Sequence, residues 1–163
     1  MNRKILKCLS LAMLSAIPVT SLAVGSPVQA GVSGSTSELN TDEQGLALRG
    51  YDPVAYFDSG KPTHGLDSLS ASFGGARYLF ASAAHRKTFL ADPKKYVPEF
   101  GGFCVVGTAF GEKVDTDPET GEVVGGKLYL NNSAKALELF HQDRAGTIAK
   151  AQGNWPVVKD KAF

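Results

Sequence analysis

The chain predicts an α+β fold, a small antiparallel sheet packed with short helices in a single domain, and three observations predict it. Apolar residues alternate with serines up to Gly74-Gly75 and keep alternating beyond it. Ser82 and Ser133 each stand one residue ahead of a helix-forming run. Glycine and proline punctuate the chain too often for long elements, which favours short mixed strands and helices around one core.

Leu69, Ala71 and Phe73 alternate with Ser68, Ser70 and Ser72, and Ala76, Tyr78 and Phe80 follow the two glycines. A two-residue Gly-Gly loop predicts a hairpin with Phe73 opposite Ala76, Ala71 opposite Tyr78 and Leu69 opposite Phe80, all on one buried face. Ser82 is the expected N-cap of a helix over 83–91, because its hydroxyl can accept from a free first-turn amide. Pro93 ends that helix and suits the first position of a second short turn over 93–96, capped by Asp92. After the Gly101-Gly102 turn, residues 103–106 read as a short strand. Residues 107–126 read as a surface loop and 127–131 as a strand. Ser133 caps a helix whose Ala136, Leu137 and Phe140 form an apolar stripe. A shorter helix over 147–152 turns Ile148 and Ala151 inward, stopped by Gly153 and anchored by Trp155. No internal repeat is expected.

Arg3, Lys4 and Lys7, an apolar run from Leu9 to Val24, and Val28-Gln29-Ala30 make residues 1–30 an expected signal peptide. Ser10, Ser15, Pro18, Thr20 and Ser21 interrupt the run before the ~20 apolar residues a membrane span requires. Lys7 before Cys8 does not fit a lipidation site. The expected location is periplasmic or secreted, with no membrane span after cleavage. Residues 31–45 are polar and small, a flexible leader on composition, and the domain is expected over 46–163. Cleavage removes three of the 17 basic residues and turns their balance with 16 acidic ones mildly acidic. No basic excess remains for a nucleic-acid backbone, so no nucleic-acid partner is expected. Cys8 leaves as well, so Cys104 stands alone and no intramolecular disulfide can form. Neither a phosphate loop, a dinucleotide fingerprint nor a Ser-His-Asp order is present, and an enzyme is not expected.

Four stretches share a further pattern: Gly50-Tyr51-Asp52-Pro53-Val54-Ala55-Tyr56-Phe57, Tyr78-Leu79-Phe80-Ala81-Ser82-Ala83-Ala84-His85-Arg86, Gly101-Gly102-Phe103-Cys104 and Gly126-Lys127-Leu128-Tyr129-Leu130-Asn131. From Leu46 to Trp155 the chain resembles the YHS domain in its secreted bacterial branch, with Tyr78, Ser82 and His85 matching the residues of that name. The resemblance implies metal handling. Metal-binding forms carry cysteines that would fall near Ala55, Ala81 and Ala84 or His85, where this chain has none. A transition-metal ion, copper or zinc, would therefore rest on Cys104 and His85 as ligands, with Tyr78, Ser82 and Tyr56 in support.

The residues themselves leave other roles open. Cys104 could cycle through a sulfenic or mixed-disulfide state as a thiol redox centre, or be a buried small hydrophobe. His85 could hydrogen-bond Tyr78 or a backbone carbonyl. A metal site would need more ligands from His64, His141, a carboxylate or a second chain. Tyr51, Tyr56, Tyr78, Tyr96 and Tyr129 either pack in the core or form a surface for an unidentified protein partner, in which case the chain is a non-catalytic interaction module. Asp52 before Pro53 is expected to shape a turn. Asp115, Asp117, Glu119 and Glu122 alternate like a calcium loop without its glycine and terminal glutamate, so a solvated loop is expected.

Overall fold

The alternation around Gly74-Gly75 forms a hairpin of β1 (Leu66–Phe73) and β2 (Ala76–Phe80). Phe73 lies opposite Ala76 and Ala71 opposite Tyr78, as the glycine loop requires. The third expected pair is different: Phe80 faces Leu66, because the register shifts between Leu66 and Ser70. A bulge of this kind bends the strand and re-aims its side chains. Leu69 still packs against the core while Leu66 is left 53% exposed. The structure, a computed structural model, describes residues 36–163, so the expected signal peptide and residues 31–35 lie outside it. Among the described residues no helix is long and apolar enough to cross a membrane.

Ser82 caps α2 (Ala83–Ala91), its Oγ accepting from the His85 amide at 3.0 Å. Pro93 opens α3 (Pro93–Tyr96). A one-turn helix, α1 (Ala55–Asp58), precedes the first hairpin. In place of the strand expected over 103–106, Cys104 caps α4 (Val105–Ala109) and forms only an isolated bridge to Leu130. Val105-Val106 favours extended backbone, but the turn before it delivers Cys104 in position to cap, with its Sγ 3.4 Å from the Gly107 amide. The expected loop over 107–126 holds a strand, β3 (Asp117–Val124), which pairs with β4 (Lys127–Asn131) across Gly125-Gly126. Pro118 is tolerated because it falls where the register shifts, between Asp117 and Glu122. The α+β class therefore holds, built on two antiparallel two-stranded sheets instead of one.

Ser133 caps α5 (Ala134–Gln142) as expected. The helix after it, α6 (Arg144–Val158), starts earlier and ends later than expected, and runs through Gly153 and Pro156. Packing overrides propensity there: the Asn154 amide donates to the carbonyls of Thr108 and Ala109 at 3.2 and 3.0 Å, tying α6 to α4. The leader reading also changes for residues 36–45. Leu39 packs on the core, Asn40 is 7% exposed, and its side-chain amide donates to Gly102 O, Asp115 and Thr116. Lys113, 7% exposed, donates from Nζ to the carbonyls of Ser37 and Lys161, both at 2.8 Å, and so binds the two ends of the described chain together.

These elements are built twice. A shift of 51 positions carries Gly74-Gly75, Tyr78, Leu79, Ser82, Ala83, Phe89 and Asp92 onto Gly125-Gly126, Tyr129, Leu130, Ser133, Ala134, Phe140 and Asp143. The register follows the same shift: Leu66 opposite Phe80 becomes Asp117 opposite Asn131, with the bulge in the same place. Asp92 and Asp143 both lie at ψ 75°, with φ −152° and −153°. Upstream the spacing is 52, where Leu48, Arg49 and Gly50 at φ 55°, 48° and 81° match Phe100, Gly101 and Gly102 at 53°, 62° and 86°. The expectation of no repeat is therefore corrected. Two apolar clusters fill the interior, one around Tyr78, Phe80 and Phe89 that also takes Leu128 and Leu130 from β4, and the other around Tyr129 and Phe140.

Gly101 is the position where the second unit meets the leader. Its φ is +62° and an added Cβ would lie 1.8 Å from the Glu38 carbonyl oxygen, while its own carbonyl accepts from the Asn40 amide at 2.8 Å. Gly101→Ala is expected to lose more than about 1 kcal/mol in urea unfolding and to open residues 36–40 to protease. Unchanged stability and unchanged cleavage would mean that the leader does not pack on this turn.

Candidate functional site

The turn at Asp52-Pro53 buries a carboxylate. Asp52 is 0% exposed; Oδ1 accepts from the Val54 amide at 2.8 Å and Oδ2 from the Ala81 amide at 2.7 Å. The first contact is the turn expected from sequence. The second reaches the end of β2, and the same oxygen lies 2.6 Å from Nδ1 of His85 on α2. A carboxylate can only accept, so the ring presents its Nδ1–H to Asp52. Nε2 is turned outward, 3.6 Å from the Asp58 carboxylate on α1, with the His85 side chain 21% exposed. That distance is too long for a hydrogen bond and forms an ion pair only when the ring is charged. Ser82 enters through its cap to the His85 amide, which sets where the imidazole leaves the helix.

Cys104 lies elsewhere. It is 1% exposed and packs with Phe100, Val105, Val106, Tyr129 and Phe140 in the second unit. The repeat explains the separation. Spacing by 52 puts Cys104 at the place of Asp52, and spacing by 51 puts Ala136 at the place of His85. Both units use the first of these residues to hold the amide of a following turn, Val54 for Asp52 and Gly107 for Cys104. Ala136, whose amide receives the Ser133 cap as His85 receives that of Ser82, has no imidazole to offer the thiol.

The group implied by the resemblance can be tested against these residues. Closed zinc sites use four protein ligands and catalytic sites three. Among the described residues no group of three or more His, Cys, Asp or Glu side chains is placed to hold a metal ion. Cys104, 1% exposed, packs in the apolar cluster of the second unit, while His85 is held by Asp52. His64 stacks on Tyr51, with ring centroids 3.9 Å apart, and His141 is bound to Glu122 at 2.6 Å. The residues do not fit a copper or zinc site built on Cys104 and His85.

The acidic run is framework. Asp115 pairs with Arg49 at 2.6 Å, and Glu119 accepts from the Tyr51 hydroxyl at 3.1 Å. Burial alone would push the Glu122 carboxyl up, but hydrogen bonds from Arg144 and His141 outweigh it and hold it below the usual carboxylate range. Tyr56, Tyr78, Tyr96 and Tyr129 are buried, leaving Tyr51 as the partly exposed one, so the tyrosines form core and no tyrosine-rich surface. Tyr56 donates to the Pro118 carbonyl at 2.8 Å and spans the two units, and burial raises its pKa. Sequence reasoning missed Asp52 as the partner of His85. Its position before Pro53 pointed to a turn, and nothing local marks the second oxygen as reaching a residue 33 positions away.

No protein-family model, no curated protein and no solved structure matches this chain.

Proposed function

We propose that this chain is an exported, non-catalytic binding domain of the YHS type, in which Cys104 and His85 hold the fold and form neither a transition-metal site nor a redox centre. The observation that carries this reading is the repeat: the thiol and the imidazole belong to different units, and each has a partner within its own unit. A thiol 1% exposed offers neither a ligand to an entering ion nor a target to an oxidant. The export reading is supported by the charged, apolar and small-residue segments of positions 1–30.

The test is a calorimetric titration of metal-free full chain with zinc(II) and copper(I), repeated on Cys104→Ser and His85→Ala. The expected outcome is that no tight stoichiometric binding depends on both residues. A one-to-one event in the wild type that disappears in each variant would contradict the proposal.

A further inference from the structure

We infer that the cavity beside Tyr78 binds a small, uncharged, fused-ring aromatic molecule that carries a hydrogen-bond acceptor, an inference that rests on the binding-domain reading above. The cavity measures about 230 Å³ and lies between the leader and the first hairpin, walled by Leu39, Phe73, Tyr78, Val97, Pro98 and Trp155. Three features specify its occupant.

The first is an open donor. Tyr78 is 3% exposed and lines the cavity, and its hydroxyl has no hydrogen-bond partner among the described residues. The enclosed polar side-chain atoms left without partners are Asn40 Oδ1 and Asn131 Oδ1, so the Tyr78 hydroxyl is not sealed in and keeps access to the space it borders. A donor with that access is met there by water or by a ligand atom. Burial pushes the phenol up to about 12, so it stays protonated and donates. The atom that meets it must accept.

The second is size and wall chemistry. An apolar cavity of about 150 Å³ takes benzene. The space here is larger, and Phe73, Tyr78 and Trp155 offer ring surfaces, which suits a two-ring planar molecule. The third is charge. The one ionisable side chain at the wall besides Tyr78 is Glu38, and its carboxylate is engaged by Lys159 Nζ at 2.6 Å. With that charge paired, neither an anion nor a cation gains a free counter-charge, and an uncharged ligand is favoured.

Trp155 is the sole tryptophan of the chain, so its indole N–H resonance reports on the cavity without ambiguity. The full chain is titrated at neutral pH with quinoline, which has an acceptor nitrogen, and with naphthalene, which has the same two rings and none. Quinoline is expected to shift the Trp155 resonance saturably. Tyr78→Phe removes a hydroxyl that no group among the described residues uses, so the fold is kept; it is expected to weaken quinoline about 3- to 10-fold, the worth of one neutral hydrogen bond, and to leave naphthalene unchanged. Absence of a saturable shift with quinoline would overturn the inference and leave water as the occupant. Equal quinoline affinity in wild type and Tyr78→Phe would overturn the acceptor assignment. Neither readout involves Cys104 or His85, so a failure here and a failure of the metal titration are separate results.

Discussion

Phe89→Ala and Phe140→Ala are each expected to destabilise the protein by about 3–5 kcal/mol, the usual loss for deleting a fully buried aromatic ring. Both are 0% exposed and occupy the same place in the two units. Phe89 touches three rings, those of Phe73, Tyr78 and Phe80, at centroid distances of 6.3, 5.1 and 5.0 Å. Phe140 meets Tyr129 at 6.0 Å. Each ring joins a capped helix to its own hairpin, so its loss leaves a void between two elements that cannot close without moving the cap. Phe80→Ala, also at 0% exposure, is expected in the same range. Denaturant unfolding checks all three, and losses below about 1 kcal/mol at Phe89 and Phe140 would contradict the packing described for both units.

Asp52→Ala is expected to lose a comparable amount, about 3–5 kcal/mol, since removing a buried acceptor strands the donors it served. Those groups are the amides of Val54 and Ala81 and Nδ1 of His85. Orphaned buried donors cost about 1–3 kcal/mol each. His85→Ala should be milder, because both amides keep their acceptor. Thermal and urea unfolding of the two variants gives the order, and a His85→Ala variant less stable than Asp52→Ala would show that the imidazole, not the carboxylate, holds the turn.

The first hairpin, both serine caps and the Pro93 turn were legible because each rests on local chemistry: alternation, a hydroxyl ahead of an apolar run, an imide that cannot continue a helix. β3 was not. Asp117-Pro118-Glu119 has the composition of a loop, and what makes it a strand is its partner β4 beyond Gly125-Gly126. Gly153 predicts an end to α6 that the contacts of Asn154 with α4 override. The repeat is faint in the sequence because the shared side chains are scattered and the chemically distinctive ones have diverged, Asp52 to Cys104 and His85 to Ala136. That divergence also explains why Cys104 and His85 looked like a pair. Each is the more chemically reactive member of a repeated position whose counterpart in the other unit is a carboxylate, Asp52, in one case and an alanine, Ala136, in the other.

The most direct measurement is the labelling rate of Cys104 by a thiol reagent at neutral pH, across a urea series, in wild type and His85→Ala, with peptide mapping to separate Cys104 from Cys8. The thiol is 1% exposed and its sulfur faces the Gly107 amide, so labelling should be slow in native protein and should rise only in step with global unfolding. His85→Ala should change it only by the amount it changes stability. Rapid labelling of the native protein that slows when His85 is removed would contradict the account, because it would place the thiol in reach of the imidazole and of solvent together.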